Sequence, residues 1–277
     1  MGIDRHAFHL IARLAREAPL GDVLTIGRQC VDFDARALGF TPPPGAAARY
    51  CEWLLLALGA RSVASLDVSA YEGATHIADL GAPIDLPDRF DTVIDAGSLE
   101  HVFDVATAFR NCIALTRPGG RIAHILPVNN LSGHGFWQFS SDLLHTLYAP
   151  GNGFAETRVF HASSLDATRW WEVPAPAPGA RTEVVSIEPL ILLATTRKRA
   201  EVARLSVQQP FYANDWRGAA PSPLAAPQAK PSLRARLRGL AVARWLRNAG
   251  LLAGLALGRS RYSVRHRRFT ARDPRAP

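Results

Sequence analysis

Cysteine is scarce: the chain of 277 residues holds three, Cys30, Cys51 and Cys112. Each lies beside or within an apolar pattern, and none has metal-ligand spacing. An odd, scattered set excludes a disulfide framework, fits a reduced cytoplasmic setting and predicts no metal site. No long apolar core follows Asp4, Arg5 and His6, so "MGIDRHAFHLIARLAREAP" is not expected to be a signal peptide. It reads instead as an amphipathic helix with Phe8, Ile11, Ala12 and Ala15 on one face. No internal repeat is present. Acidic residues are nearly absent from the C-terminal part: residues 218–277 hold 13 Lys and Arg against one acid, a net charge of +12. Residues 1–217 hold 19 against 23, a net charge of −4. The basicity therefore belongs to the tail, and a nucleic-acid-binding core is not favoured.

What is present is an alternation of strands and helices. Val23–Ile26, Ser62–Asp67, Thr75–Leu80, Phe90–Gly97 and Arg121–Leu126 read as five strands. Tyr50–Leu58, stopped by Gly59, and Asp104–Thr116, with Asp104 as its N-cap, read as helices between them. This order predicts an α/β fold with a doubly wound parallel sheet. Glu156–Ala162 and Thr182–Lys198 read as two further strands without a helical crossover, hence an antiparallel pair at the sheet edge. A loop rich in Trp and Pro (Trp170, Trp171, Pro174, Pro176, Pro178) joins them. The division expected is a domain over 1–217 and a basic tail over 218–277. The tail opens on the linker "GAAPSPLAAPQAKPS" and continues as an amphipathic helix, Leu233–Gly258. Arg244 and Arg247 interrupt that helix, which makes it a poor membrane span. Two readings stay open for it: docking on the core or a second subunit before a disordered Arg-rich end, or peripheral contact with an anionic membrane.

The first strand ends in "GDVLTIGRQCVDFD", where Gly27 stands without the glycines of a dinucleotide loop. In open α/β sheets the ligand lies beyond the carboxyl ends of the strands. That rule aligns Gly27, Asp67, Asp79 and Asp95 along one rim. A carboxylate at Asp67 matches two vicinal hydroxyls of a ribose, or is a turn acid in "DVS".

The stretch from Ser65 to Pro127 resembles the middle of the class I S-adenosylmethionine-dependent methyltransferases. The acid after strand two, Asp79-Leu80 after strand three, "FDTVIDAGSLEHV" and "RPGGRIAHILP" come in that family's order and at about its spacing. "NNLSGHGFWQFS" is similar to a bacterial subgroup associated with glycan modification. The resemblance implies a Rossmann-like, mostly parallel seven-stranded sheet with an antiparallel last strand. It implies S-adenosyl-L-methionine as cofactor, with Asp67 and its neighbour Val68 at the ribose, Asp79 and Leu80 at the adenine, and Asp95, Ala96 and Gly97 near the methionine part. The family's acid and Gly-x-Gly-x-Gly loop are altered here: Thr25 stands for the acid, Gly27 is kept, and Gln29 and Val31 replace the other glycines. Thr25, Gly27, Arg28 and Gln29 are therefore the candidates for the methionine end.

A sulfonium cofactor has no phosphate and needs no nest of backbone amides, only one close backbone approach, which Gly27 permits. A nicotinamide oxidoreductase would need the whole glycine fingerprint and is disfavoured. Methyl transfer depends on in-line positioning, and it needs a base only where the acceptor is a poor nucleophile such as a sugar hydroxyl. His101 and His134 follow strand ends and are the catalytic candidates, with His101 alternatively a helix-start histidine held by Glu100. Gly133 and Gly135 are expected to bring the His134 backbone close to substrate. Asn129 and Asn130 either line the acceptor side or cap a turn, and His124 reads as a core histidine. Trp137, Phe139, Trp170 and Trp171 read as lid or core packing, or as a stacking surface for a sugar or aromatic acceptor. The functional expectation is O-methylation of a saccharide or small metabolite. The alternative is a methyltransferase-like binding or scaffold subunit without catalysis.

Overall fold

The computed structural model describes residues 2–87, 89–212 and 241–276. Its centre is a mixed sheet of nine strands. In chain order these are β2 (Gly21–Ile26), β4 (Ala60–Asp67), β5 (His76–Ile77), β6 (Phe90–Ala96), β7 (Thr116–Asn129), β8 (Phe154–Ser163), β9 (Asp166–Glu172), β10 (Leu190–Lys198) and β11 (Thr270–Arg272). Two short strands, β1 (Gly2–Ile3) and β3 (Cys30–Val31), form a separate parallel pair. The spatial order of the large sheet is β11-β9-β8-β10-β7-β6-β2-β4-β5. The pairs β4–β5, β2–β4, β2–β6 and β6–β7 are parallel. β10 is antiparallel to both β7 and β8, and β9 is antiparallel to β8 and β11, so only β9 and β10 run against the rest.

Strand alternation assigns side chains to two faces. Val23, Ile94, Ala123 and Leu193 join one core with Phe8, Leu10, Ile11 and Leu14 of α1 (Arg5–Glu17) and Trp53, Leu54 and Leu55 of α2 (Glu52–Ala57). Their neighbours Leu24, Val93, Ile122 and Leu192 join the other core. It contains Phe109 and Cys112 of α3 (Val105–Leu115) and Leu144 and Leu147 of α4 (Ser141–Leu147). A period of two on strands buried from both sides is what places helices on both faces. The start of α3 is fixed by Asp104, whose Oδ1 accepts the Thr107 amide at 3.0 Å. Gly59, at φ 91°, ends α2 in the left-handed conformation.

The structure departs from the sequence reading at the sheet's far side. The two late strands, β8 and β10, pair antiparallel as expected but not at the edge: β10 lies between β7 and β8, and β9 extends the sheet outward. The Trp-rich connection is half strand, because Trp170 and Trp171 lie on β9, opposite Ala162 and His161 of β8. Both indoles are buried, as is Phe139, so these three are core rather than stacking surface. The third strand shrinks to His76–Ile77, and β7 absorbs the "RPGG" expected to turn.

The expected linker and the 217/218 boundary lie outside the described residues. Of the expected tail helix, Ala241–Ala256 is described as α5. The Arg-rich end is not disordered as expected. β11 pairs with β9, Phe269 and Val264 pack with Trp171, Val173 and Leu190, and Arg272 Nε donates to Glu172 at 2.8 Å. No helix among the described residues is long and apolar enough to cross a membrane.

Candidate functional site

Chain direction selects one rim of the sheet. After β2 the strands proceed outward to β4 and β5, and the chain then returns to place β6 on β2's other side. The crevice between such diverging connections, at the strands' carboxyl ends, is where open α/β sheets bind ligands. A cavity of about 740 Å³ lies there, lined by Gly27 after β2, by Asp67 and Val68 at the end of β4, and by Asp79 and Leu80 after β5. Ser98, Phe103 and Phe136 close its other side. Its size suits a nucleoside-sized ligand.

The polar groups on this rim are set by local hydrogen bonds. Asp67 Oδ1 accepts the Ser69 amide at 3.2 Å and Asp79 Oδ1 the Gly81 amide at 2.8 Å. Each carboxylate is thus oriented by its own turn and retains acceptor capacity. Gly27 has φ 74° and donates its amide to Leu66 O at 2.7 Å, which brings the end of β2 against β4. A side chain at that φ would be strained.

Three of the methionine-end candidates do not reach this cavity. Thr25 is buried in the sheet, its Oγ1 3.5 Å from Ala64 O. Arg28 turns away to Glu52 Oε1 and Glu72 O, both at 2.6 Å, and stacks on Tyr50. Gln29 is fully buried, and its Nε2 donates to Ile26 O at 2.5 Å and to Ser98 Oγ at 3.2 Å. Thr25 is held within β2 between β4 and β6, and for Arg28 and Gln29 the physical reason lies in the chain path. After Gly27 the backbone pairs β3 with β1 instead of starting a helix, so the side chains point into the core and toward α2.

Asp95 also differs from expectation. It is fully buried, its Oδ1 accepts the Ser98 and Leu99 amides, and its Oδ2 accepts from His124 Nδ1 at 2.9 Å. His124 Nε2 in turn takes the Tyr148 hydroxyl at 2.6 Å. The carboxylate expected beside the cofactor instead anchors the turn after β6, and His124 is the satisfied core histidine expected.

Ala96 and Gly97 line a second cavity, of about 510 Å³, with Glu100, Pro127, Leu131 and His134. His101 lines both cavities and marks where they meet. His101 and His134 are brought together, ring centroids 5.5 Å apart, over the Glu100 carboxyl. His134 Nε2 lies 3.4 Å and His101 Nε2 4.0 Å from Glu100 Oε1. The imidazoles are half-exposed, whereas the Glu100 side chain is 1% exposed and its Oε2 has no hydrogen-bond partner. Burial, and then the charge of Asp95, push the Glu100 carboxyl up to about 8. Burial and the neighbouring His134 lower His101.

The loop carrying His134 is clamped on Glu100. Phe136 and Trp137 amides both donate to Glu100 O, and Trp137 Nε1 donates to Val102 O at 2.9 Å. Gly135 serves this contact rather than a substrate, because a Cβ there would lie 2.8 Å from Glu100 O. Asn129 and Asn130 hold the chain before β10: Asn129 Oδ1 accepts the Leu190 amide, and Asn130 Nδ2 donates to Ser186 O and Glu188 O. The sequence reading assigned no catalytic place to Glu100, nor any place to Ser98, Phe103 or Phe136. For Glu100 the available signal was its position in "SLEHV" beside a candidate histidine.

No protein-family model matches the chain, and no curated protein matches it. Solved structures similar to it include the N-methyltransferase NodS from Bradyrhizobium japonicum WM9. That match has 15% identity, covers 71% of this chain and 95% of that one, and has a TM-score of 0.40. Another is the 1,6-didemethyltoxoflavin-N1-methyltransferase from Burkholderia thailandensis, with its substrate and S-adenosylhomocysteine bound. Identity is 18%, coverage 71% and 78%, and the TM-score 0.41. A third is the YcgJ protein from Bacillus subtilis, with 15% identity, 71% and 100% coverage, and a TM-score of 0.42. At these identities and scores the likenesses carry no argument, and the functional reading rests on the site.

Proposed function

We propose that the chain is an S-adenosylmethionine-dependent methyltransferase acting on a hydroxyl of a saccharide or similar small metabolite. The observation that carries the reading is the cavity at the strand-order reversal, with Asp67 at the end of β4 and Asp79-Leu80 after β5 on one wall. Asp67 suits the ribose hydroxyls, and Leu66, Leu80, Val102 and Phe103 suit a purine face. Gly27 and Ser98 border the methionine end in place of Thr25, Arg28, Gln29 and Asp95. The bound cofactor supplies an electrophilic methyl on a positively charged sulfur. The acceptor side is the second cavity, and the cluster of His134, His101 and Glu100 at its junction with the first handles the acceptor's proton.

Calorimetry with S-adenosylmethionine and S-adenosylhomocysteine tests the reading. Binding of both is expected, and no heat at high micromolar ligand would sink it. Asp67→Ala should weaken S-adenosylhomocysteine tenfold or more, as a charged hydrogen bond is worth about 1.5–3 kcal/mol. His134→Ala should cut turnover more than cofactor affinity. The loop after β2 favours a second reading, a binding subunit without catalysis, since Gln29 occupies the space behind Gly27. That reading predicts a folded chain without cofactor affinity.

For the tail we propose peripheral contact with an anionic lipid surface. The reading is supported by the +12 charge of residues 218–277 and by the exposed Trp245, Leu246 and Leu252 of α5. Co-sedimentation with phosphatidylserine vesicles should be lost in a Trp245→Glu, Leu252→Glu double variant. Unchanged co-sedimentation would remove α5 as the anchor.

A further inference from the structure

Two half-exposed imidazoles stand over one buried carboxyl where the two cavities meet. One ring nitrogen of His101, one of His134 and one Glu100 oxygen all lie within 4.8 Å of one another. A first-row divalent cation bound at about 2.0–2.2 Å to nitrogen and oxygen sets its ligand atoms roughly 3.0–3.5 Å apart. The His134–Glu100 edge is already 3.4 Å, and the His101–Glu100 edge is 4.0 Å. Closing the cluster therefore requires His101 to approach Glu100 by about half an ångström, and its ring is half-exposed.

The second, independent observation is the state of Glu100. Its side chain is all but fully buried, and Oε2 has no donor. Among the described residues no Lys or Arg forms an ion pair with it, and the ionisable groups within 4.0 Å of it are the two histidines. Burial disfavours the ionised form of a carboxyl that has neither a cation nor a donor beside it, and a coordinated cation supplies the partner which that form lacks. The surrounding structure is built to keep it there. Glu100 O is held by two amides of the 131–137 loop, and Gly135 is packed so tightly on Glu100 that a Cβ would collide. That clamp also fixes the distance between His134 and Glu100.

We propose that Glu100, His101 and His134 form a binding site for a first-row divalent cation of the zinc type. Two imidazoles and one carboxylate are a donor set for Zn²⁺, Co²⁺ or Fe²⁺ rather than for Ca²⁺ or Mg²⁺, which favour all-oxygen surroundings. Three protein ligands leave at least one position open, as catalytic rather than structural zinc sites do. All three residues line the second cavity, from which an acceptor oxygen would take that position. This last step rests on the methyl-transfer reading, whereas cation binding does not. With the cation in place the cluster handles the acceptor's proton through the metal, the imidazoles serving as ligands. The cation then acidifies the acceptor hydroxyl, whose proton leaves to water. The O–C bond forms as the sulfonium C–S bond breaks, and a neutral thioether remains.

The test uses the full chain stripped with EDTA and titrated with Co²⁺, a spectroscopic stand-in for Zn²⁺. One equivalent should bind with visible d–d absorption, and Zn²⁺ should displace it. Glu100→Gln keeps the shape of the side chain and both imidazoles, and it should weaken Co²⁺ tenfold or more. His134→Ala should do the same. Melting without metal checks that each variant is folded, and addition of Zn²⁺ should raise the melting temperature of the parent chain only. No saturable uptake by the parent chain overturns the proposal. So does uptake of unchanged affinity in Glu100→Gln, which would mean an exposed histidine pair binding metal on its own. S-adenosylhomocysteine binding, measured separately on the same samples, distinguishes failure of the cation site from failure of the methyl-transfer reading.

Discussion

Gln29 Nε2 and Ser98 Oγ lie 3.2 Å apart, and both donate to the same acceptor, Ile26 O, at 2.5 Å and 2.6 Å. The last carbonyl of β2 is thereby tied to the turn after β6, beneath Gly27. Side chains here do what successive backbone amides do in a glycine-rich loop: they fix the floor of the cleft. Gln29→Leu keeps the approximate volume and removes the donor. It should destabilise the fold by about 0.5–1.5 kcal/mol, the net worth of a hydrogen bond, because Ile26 O keeps the Ser98 hydroxyl and the unpartnered Gln29 Oε1 is removed too. Urea unfolding measures this, and a change below a few tenths of a kcal/mol would mean that Ser98 alone carries the link.

Lys198 is a buried cation at the end of α3. Its Nζ donates to Ile113 O at 2.7 Å, Thr116 O at 2.8 Å and Glu201 Oε1 at 2.6 Å, which uses all three hydrogens. The carbonyls at a helix C-terminus carry partial negative charge and lack helical donors. Lys198→Met fills the space but takes the charged donor from both carbonyls, leaving Ile113 O with the Thr116 amide. A loss of about 2–3 kcal/mol is expected in denaturant unfolding. Glu201→Gln should cost far less, because Glu201 is largely exposed.

His161 sits on β8 with neither ring nitrogen bonded, and burial lowers its pKa to about 4, helped by the neighbouring His145. The unfolded chain takes up this proton near pH 6.5, whereas the folded chain does so only near 4. Between those values the unfolded state holds more protons, so stability falls as pH drops through that window. The single group accounts for about 2 kcal/mol between pH 7 and pH 5. His6, His9 and His145 are lowered by burial too and add with the same sign, while Asp142 beside His145 opposes. His161→Leu should flatten, without abolishing, the fall in urea midpoint from pH 7 to pH 5. An unchanged slope would assign the effect to the other histidines.

The sheet's parallel half was legible because its signals are local. Apolar runs ending on Asp67, on Asp79 or at Gly27 announce strand ends, and the ligand rim follows from the fold rule. Thr25, Arg28 and Gln29 were misplaced because their direction depends on strand parity and on the route of the chain after Gly27. That route is set by the pairing of Cys30 and Val31 with Gly2 and Ile3, just before α1, a non-local contact. β9 was hidden for a similar reason: Trp170 and Trp171 among prolines read as loop until β8 is there to pair with them. Asp95 ends a strand just as Asp67 does, and only the burial of His124 and Tyr148 beside it tells the two apart. Glu100 was legible as a neighbour of His101 but not as a buried carboxyl, since that requires the 131–137 loop to close over it.

Gly135 is where that closure is most easily disturbed. An added Cβ would stand 2.8 Å from both Glu100 Cγ and Glu100 O, and the second of these is backbone that cannot swing aside. Gly135→Ala should therefore push the loop off Glu100, lengthening the Phe136 and Trp137 amide bonds to Glu100 O and carrying His134 away from the carboxyl. Overpacking of this kind costs about 1–3 kcal/mol. The first cavity, apart from the Phe136 edge, is bounded by other elements, so cofactor binding should change little while turnover and Co²⁺ affinity fall together. Gly133→Ala is the control: its Cβ meets nothing within 4 Å, though at φ 84° it carries backbone strain of its own. If Gly135→Ala retains parent-like turnover and metal affinity, the loop's contact with Glu100 does not hold the site together. His134 would then have to be placed by the Leu131 carbonyl that accepts its amide.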